Sequence, residues 1–290
     1  MKKLVLSFSF IAMATAAFAQ PVSKKGESYL PREGDWAVGI DASPFLRYIG
    51  NFFSEADNPA PFAEFTNDQL AITAKKFISD DFAYRAGFRL NILADKNRAF
   101  SPEFSVDPTN TTVEDSYSRT FTNTYLSFGV EKRKGKTRIQ GFYGAEGFLG
   151  FGTERHVFEY GNDITQENTS PTRTEFELDF QDDPRELTNI SETGAFTTEF
   201  TKGAQFTIGA RAFLGAEIFL FPKWSVGFEY GLAMGFSYQG NSEIVREEWA
   251  VPVGGNAEQF VTIVSNEGGS SSFEIDNDIS GGSLFMTFYF

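Results

Sequence analysis

His156 is the only histidine in this 290-residue chain, so acid–base chemistry would have to start there. Glu154, Glu159 and Ser170 lie near it in sequence. A histidine base needs a hydroxyl or water within hydrogen-bond reach, usually with a carboxylate to orient its ring. Val157 and Phe158 follow His156 directly, so there is no compact His-x-Ser arrangement and no recognisable carrier for a catalytic triad. A lone histidine in a chain without cysteine also lacks the partners of a zinc site. Carboxylates are plentiful but scattered, without the D-x-D-x-D-G spacing of a calcium loop. No glycine-rich phosphate loop is present. These residues lead to the expectation of a non-enzymatic protein with no cofactor and no metal.

A second set of charges sits at alternate positions of otherwise apolar segments: Asp41, Arg85, Arg89, Glu131, Glu146, Arg211, Glu217 and Glu229. Period-two spacing puts such residues on one face of a strand and their apolar neighbours on the other. Enclosed together, charges of mixed sign would form an ion-pair network, because a lone buried charge is costly.

The segments that position them are expected strands. From Trp224, the residues Val226, Phe228, Tyr230, Leu232, Met234, Phe236 and Tyr238 share one face, and Ser225, Gly227, Glu229, Gly231, Ala233, Gly235 and Ser237 share the other. The segment before it alternates likewise from Phe206 to Leu220, and only Phe221-Pro222-Lys223 separates the two, which reads as a tight hairpin. The alternation predicts eight strands, at 35–48, 67–78, 82–94, 118–132, 137–153, 203–220, 224–239 and 280–290. Short turns through Ser79-Asp80-Asp81, Lys132-Arg133-Lys134-Gly135-Lys136 and Pro222-Lys223 alternate with four long connections, 49–66, 95–117, 154–202 and 240–279. Lys75-Lys76 interrupts the pattern and reads as a bulge or an interfacial snorkel. Within the acidic connections, stretches such as Arg173 to Phe180 alternate, which predicts ribbons that prolong the strands.

The two ends carry further signals. Lys2 and Lys3, the apolar run Leu4 to Ala16 and Ala17-Phe18-Ala19 match a cleaved export signal over residues 1–19. At the other end Leu284, Met286, Phe288 and Phe290 share one strand face. Composition agrees with an inverted protein: 16% of residues are aromatic, 34 of them Phe. After the signal there is no apolar run long enough for a membrane-spanning helix. The net charge of −14 becomes −16 when Lys2 and Lys3 leave with the signal. Phosphate backbones would be repelled, so nucleic acid is not expected as a partner.

With its alternating strands, asymmetric connections and aromatic terminal strand, the chain resembles the small outer-membrane β-barrels of OmpA/OmpX type found in Gram-negative bacteria. The resemblance covers Trp36 to Phe290, and only the terminal motif is specific to it. It implies an all-β, eight-stranded antiparallel up-and-down transmembrane β-barrel over 35–290, with long extracellular loops. It also implies a periplasmic segment over 20–34 and both termini in the periplasm. By the same resemblance, Leu284, Met286, Phe288 and Phe290 form the assembly signal read by the barrel-assembly machinery. The remaining partners are outer-membrane lipids and an envelope protein partner. Three functions fit: a structural or partner-docking barrel, such as an accessory subunit of an envelope complex; a narrow passive pore for small solutes; and a lipid-modifying enzyme. Eight strands enclose an interior that side chains can fill, which favours the first.

Overall fold

The computed structural model describes residues 22–23, 25–41, 72–104, 111–176, 195–277 and 283–290. The expected signal segment 1–19 lies outside them. Among the described residues there are strands and no helix. The strands are β1 (Trp36–Asp41), β2 (Ile72–Ser79), β3 (Phe82–Pro102), β4 (Thr112–Lys134), β5 (Ile139–Glu159), β6 (Phe196–Phe221), β7 (Trp224–Gln239), β8 (Ser242–Ala250), β9 (Gln259–Glu267), β10 (Ser270–Asn277) and β11 (Ser283–Tyr289).

All pairings are antiparallel. The strands β1 to β7 pair in sequence, β7 pairs with β11, and β11 pairs with β1, so eight strands close a ring. The two ends of the ring meet at one rim, where Trp36 and Phe290 exchange backbone hydrogen bonds of 2.8 and 2.9 Å. The short turns lie at that same rim. Lys223 takes a positive φ of 62° in the two-residue turn from β6 to β7, and its ammonium pairs with Asp35.

β8, β9 and β10 are extensions rather than additional members of the ring. Gln239 pairs with Ser270 and Ser242 pairs with Glu267, so one register runs through β7–β10 into β8–β9. β6 likewise keeps one register from β7 into β8, Gln205 pairing with Gln239 and Thr201 with Glu243. The seventh strand therefore continues beyond Gly240-Asn241. The hairpin it forms with β9 rises past the level where the ring closes.

Two of the expected long loops are largely strand, and a third, 154–202, is strand at its two ends. Residues 95–102 and 112–117 prolong β3 and β4, which pair from Phe82 with Lys132 to Pro102 with Thr112. Residues 154–159 and 196–202 prolong β5 and β6, and 242–277 holds β8 to β10. The reason is solvent. Along 95–100 and 259–275 neither face is buried, so apolar alternation disappears, but ladder hydrogen bonds and β-branched residues still hold the strand, whereas at 154–159 the inward face stays buried. The expected ribbon at Arg173 to Phe180 is different: Arg173 to Phe176 form no strand, and 177–180 lie outside the described residues. The expected connection 49–66 also lies outside them.

The burial pattern is inverted. On the ring's outer wall Tyr84, Phe88, Ile92, Phe128, Leu214, Phe228 and Leu232 are all exposed, whereas the inner wall is buried and largely polar. Aromatic rings on the inner wall lie over glycines of neighbouring strands. A Cβ on Gly215 would stand 2.3 Å from the Phe142 ring, and one on Gly227 would stand 2.3 Å from Phe285. Absent side chains thus make room for rings inside a narrow enclosure.

Candidate functional site

The ring interior holds a continuous polar network. Glu131 of β4 is its hub and is fully buried. Lys75 Nζ of β2 lies 2.7 Å from one oxygen and Arg133 Nε lies 2.9 Å from the other. Arg133 also pairs with Glu217 of β6 and donates to Gln140 Oε1 at 3.1 Å and to the Tyr289 hydroxyl at 2.9 Å. The Tyr289 hydroxyl in turn donates to Glu217 at 2.6 Å, and Ser225 donates to the same carboxylate. One level further in, Arg85 of β3 pairs with Glu229 of β7 and lies 3.4 Å from Glu146 of β5. Arg211 Nη1 of β6 reaches Glu146 at 3.2 Å and Glu229 at 2.6 Å. Arg85 and Glu131, 3.9 Å apart, link the two levels.

Six of the eight charges picked out by spacing therefore meet here: Arg85, Glu131, Glu146, Arg211, Glu217 and Glu229. Arg89 is buried as well. Asp41 is the last residue of β1, paired with Phe285, and its side chain lies outside the described residues. Two charged members escaped the sequence reading, as did the neutral Gln140 and Tyr289. Lys75 is no bulge, because the β2–β3 register runs straight from Ala74–Ala86 through Lys75–Arg85 to Phe77–Ala83. It points inward, while Lys76 points outward over the Trp36 ring at 4.7 Å, as a snorkelling lysine would. Arg133 belongs to β4 rather than to the turn. Its signal was present in the strict Gly129, Glu131, Arg133 alternation.

An aromatic cluster covers the network at the short-turn rim, and a second lies on the β4–β5 extension. At the short-turn rim Tyr29, Phe77, Phe219 and Tyr289 are buried together, with Leu30 against them. Residues 25–35 are fastened there by Gly34 N–H to the Phe77 carbonyl at 3.0 Å and Arg138 over the Tyr29 ring at 3.8 Å. On the β4–β5 extension Tyr117, Phe158 and Phe176 pack together.

His156 sits beside that second cluster with no solvent exposure. Its Nδ1 is 2.8 Å from the Tyr117 hydroxyl, and its Nε2 is 3.2 Å from Glu154 Oε1. Arg119 Nε donates to Glu154 at 2.8 Å, and Lys202 Nζ lies 3.9 Å from it. Burial opposes ionisation of Glu154, but the hydrogen bond from His156 and the Arg119 charge outweigh it and hold its pKa below 4.5. Glu159 and Ser170 are exposed and take no part. Glu159 accepts from Lys96 and Ser116, which lower its pKa.

No protein-family model, curated protein or solved structure matches this chain.

What the interior can do chemically follows from its geometry. Its carboxylates are matched to cations at contact distance, and its long side chains fill the space between facing strands. The His156 group has the hydrogen bonds of a relay but no exposed reacting atom. Among the described residues, no set of three or more His, Asp or Glu side chains is placed to hold a metal ion.

Proposed function

We propose that the chain is an eight-stranded transmembrane β-barrel of the outer membrane, sealed inside, which holds a rigid β-extension outside the membrane for an envelope protein partner. One observation carries this: the ring is apolar outside and charged inside. Half-exposed Leu, Ile and Phe side chains each forgo on the order of 1 kcal/mol of burial in water. Summed over the outer wall, that exceeds the roughly 5–15 kcal/mol by which proteins are stable. In lipid the same wall is solvated, and a closed ring leaves no unpaired backbone edge. The export-signal pattern of residues 1–19 supports the same reading. So does the outward face of Phe288 and Phe290, which suits recognition by the barrel-assembly machinery.

The sealed interior favours a scaffold over a conduit. The two-level ion-pair network and the aromatic cluster at the short-turn rim support a closed interior over the solute-pore reading. A non-enzymatic role is supported by His156, whose two ring nitrogens face Tyr117 and Glu154 away from solvent.

The test uses the full mature chain refolded into liposomes and planar bilayers. The expected result is co-flotation with the liposomes and no discrete conductance steps. Failure to insert would overturn the membrane reading, and reproducible openings would overturn the sealed scaffold. For docking, a loop-tagged barrel extracted in mild detergent should bring down a stoichiometric partner, and deleting residues 243–267 should release it. A barrel that is always recovered alone would remove the docking role.

A further inference from the structure

Most cations at the short-turn rim are engaged. Arg138 stacks on Tyr29, Lys223 pairs with Asp35, and Lys76 donates to the Gly34 carbonyl at 2.7 Å. Lys132, Lys134 and Lys136 carry no ion pair among the described residues, and Lys134 meets only the face of the Tyr143 ring. All three are exposed. The nearby Asp80 and Asp81 are occupied by the Glu33 amide and the Ser79 hydroxyl.

Lys132 and Lys134 face outward, alternating with inward Glu131 and Arg133. Lys132 is flanked across the sheet by Phe82 on β3 and Tyr143 on β5. Lys134 pairs with Gly141 and lies over the Tyr143 ring at 6.0 Å. Nothing stands within 3.9 Å of where a Gly141 Cβ would be, so the wall is recessed beside the ammonium. Along the same outer face, away from the rim, come Val130, Phe128 and Ala145, all exposed. Cations at the rim, flanking rings, a recess and then an apolar wall match an amphiphile with an anionic head. A free phosphate would make no use of the wall.

We propose that the outer wall of β3–β5 at the short-turn rim binds an anionic phospholipid, its phosphate held by Lys132, Lys134 and Lys136 and its acyl chains lying along Phe128, Val130 and Ala145. The proposal rests on the membrane reading above. Charge complementarity favours this place: the net charge of −14 becomes −16 in the mature chain without Lys2 and Lys3, and three exposed lysines without ion pairs gather here. Each lysine near a lipid surface strengthens binding by about fivefold, and salt weakens it.

Native mass spectrometry of the full mature chain in detergent tests this with dioleoyl phosphatidylglycerol, dioleoyl phosphatidylethanolamine and lipid A as separate probes. Phosphatidylglycerol should be retained in preference to phosphatidylethanolamine and lipid A. The triple variant K132Q/K134Q/K136Q should lose retention by about tenfold or more, and the triple arginine variant should keep it. Equal retention by wild type and the glutamine variant would overturn the site, and so would a preference for lipid A or no preference among the three. Liposome flotation of each variant separates the two proposals. A chain that inserts but shows no headgroup preference refutes the lipid site alone, whereas one that does not insert refutes the barrel.

Discussion

Glu131 shows what a single residue decides in an interior of this kind. It is fully buried and touches two cations at contact distance and a third at 3.9 Å. Replacing a buried ion's partner leaves uncompensated charge, which costs about 3–5 kcal/mol. Glu131→Gln should therefore lower the urea unfolding midpoint strongly, as read by intrinsic fluorescence in detergent. An Arg155→Ala control, which breaks an exposed pair with Glu199, should leave the midpoint almost unmoved. A comparable effect of the two would deny the interior network its role. Glu154 contributes differently. Its pKa is depressed below 4.5 by His156 and Arg119 despite burial, so its contribution is complete above about pH 4.5 and is lost as pH falls through the lower folded value. Hydrogen exchange of the β4–β5 extension should accelerate in that acid window for the wild type, and much less for Glu154→Gln. Identical pH profiles would show that Glu154 adds nothing there. At this scale the sequence was informative wherever a charge interrupted apolar alternation, as at Arg85 and Glu229. It misled at Lys75, whose lysine neighbour disguised the inward position, and at Arg133, which sits in a basic run typical of a turn.

Elements, unlike residues, were legible only while their two faces differed. β7 was readable from Trp224 to Tyr238 because one face is apolar and the other small or polar. β8 was not, since Glu243, Arg246, Glu247 and Glu248 hide a strand that pairs along its whole length with β9. What joins the two regimes is a crossing of glycines. Gly203 and Gly240 approach so closely that a Cβ on Gly203 would stand 2.0 Å from the Gly240 carbonyl oxygen. The Gly203 amide donates to Ser242 Oγ at 3.1 Å, and the Gly240 amide donates to the Ala204 carbonyl at 3.0 Å. Gly203→Ala must push backbone against backbone, an overpacking that costs about 1–3 kcal/mol. The loss should fall on the extension. Amides of β8 and β9 should exchange at least about fivefold faster while those of β5 near Glu146 keep their protection. Uniform loosening of the whole ring would mean that extension and ring unfold as one unit.

On the proposed membrane reading, the whole molecule is longer than a bilayer requires. A tilted strand crosses hydrocarbon in roughly 9–11 residues. The outer wall offers such a band on β5 between Ile139 and Phe151, yet β5 continues to Glu159 and the seventh strand continues through β8 to Ala250. From Tyr238 to Ala250 that is on the order of 40 Å of strand beyond the aromatic belt. Its tip carries Val251 and Val253, both exposed, above a base braced by Arg155–Glu199 and by the Asp115 carboxylate, which accepts from Gly161 and Thr174. A loop that served only to connect strands would not need this bracing, whereas a platform that meets a partner away from the lipid would. By the same membrane reading, both ends of the ring and the short turns share one compartment, and the hairpin tip lies in the other. The chain has no cysteine, so single cysteines report sidedness without background. In intact cells a membrane-impermeant maleimide should label Val253→Cys and leave Thr137→Cys untouched until the envelope is permeabilised. Labelling of both without permeabilisation would mean that the ring does not span a membrane. The reverse pattern would put the extension in the periplasm and move the search for its partner there.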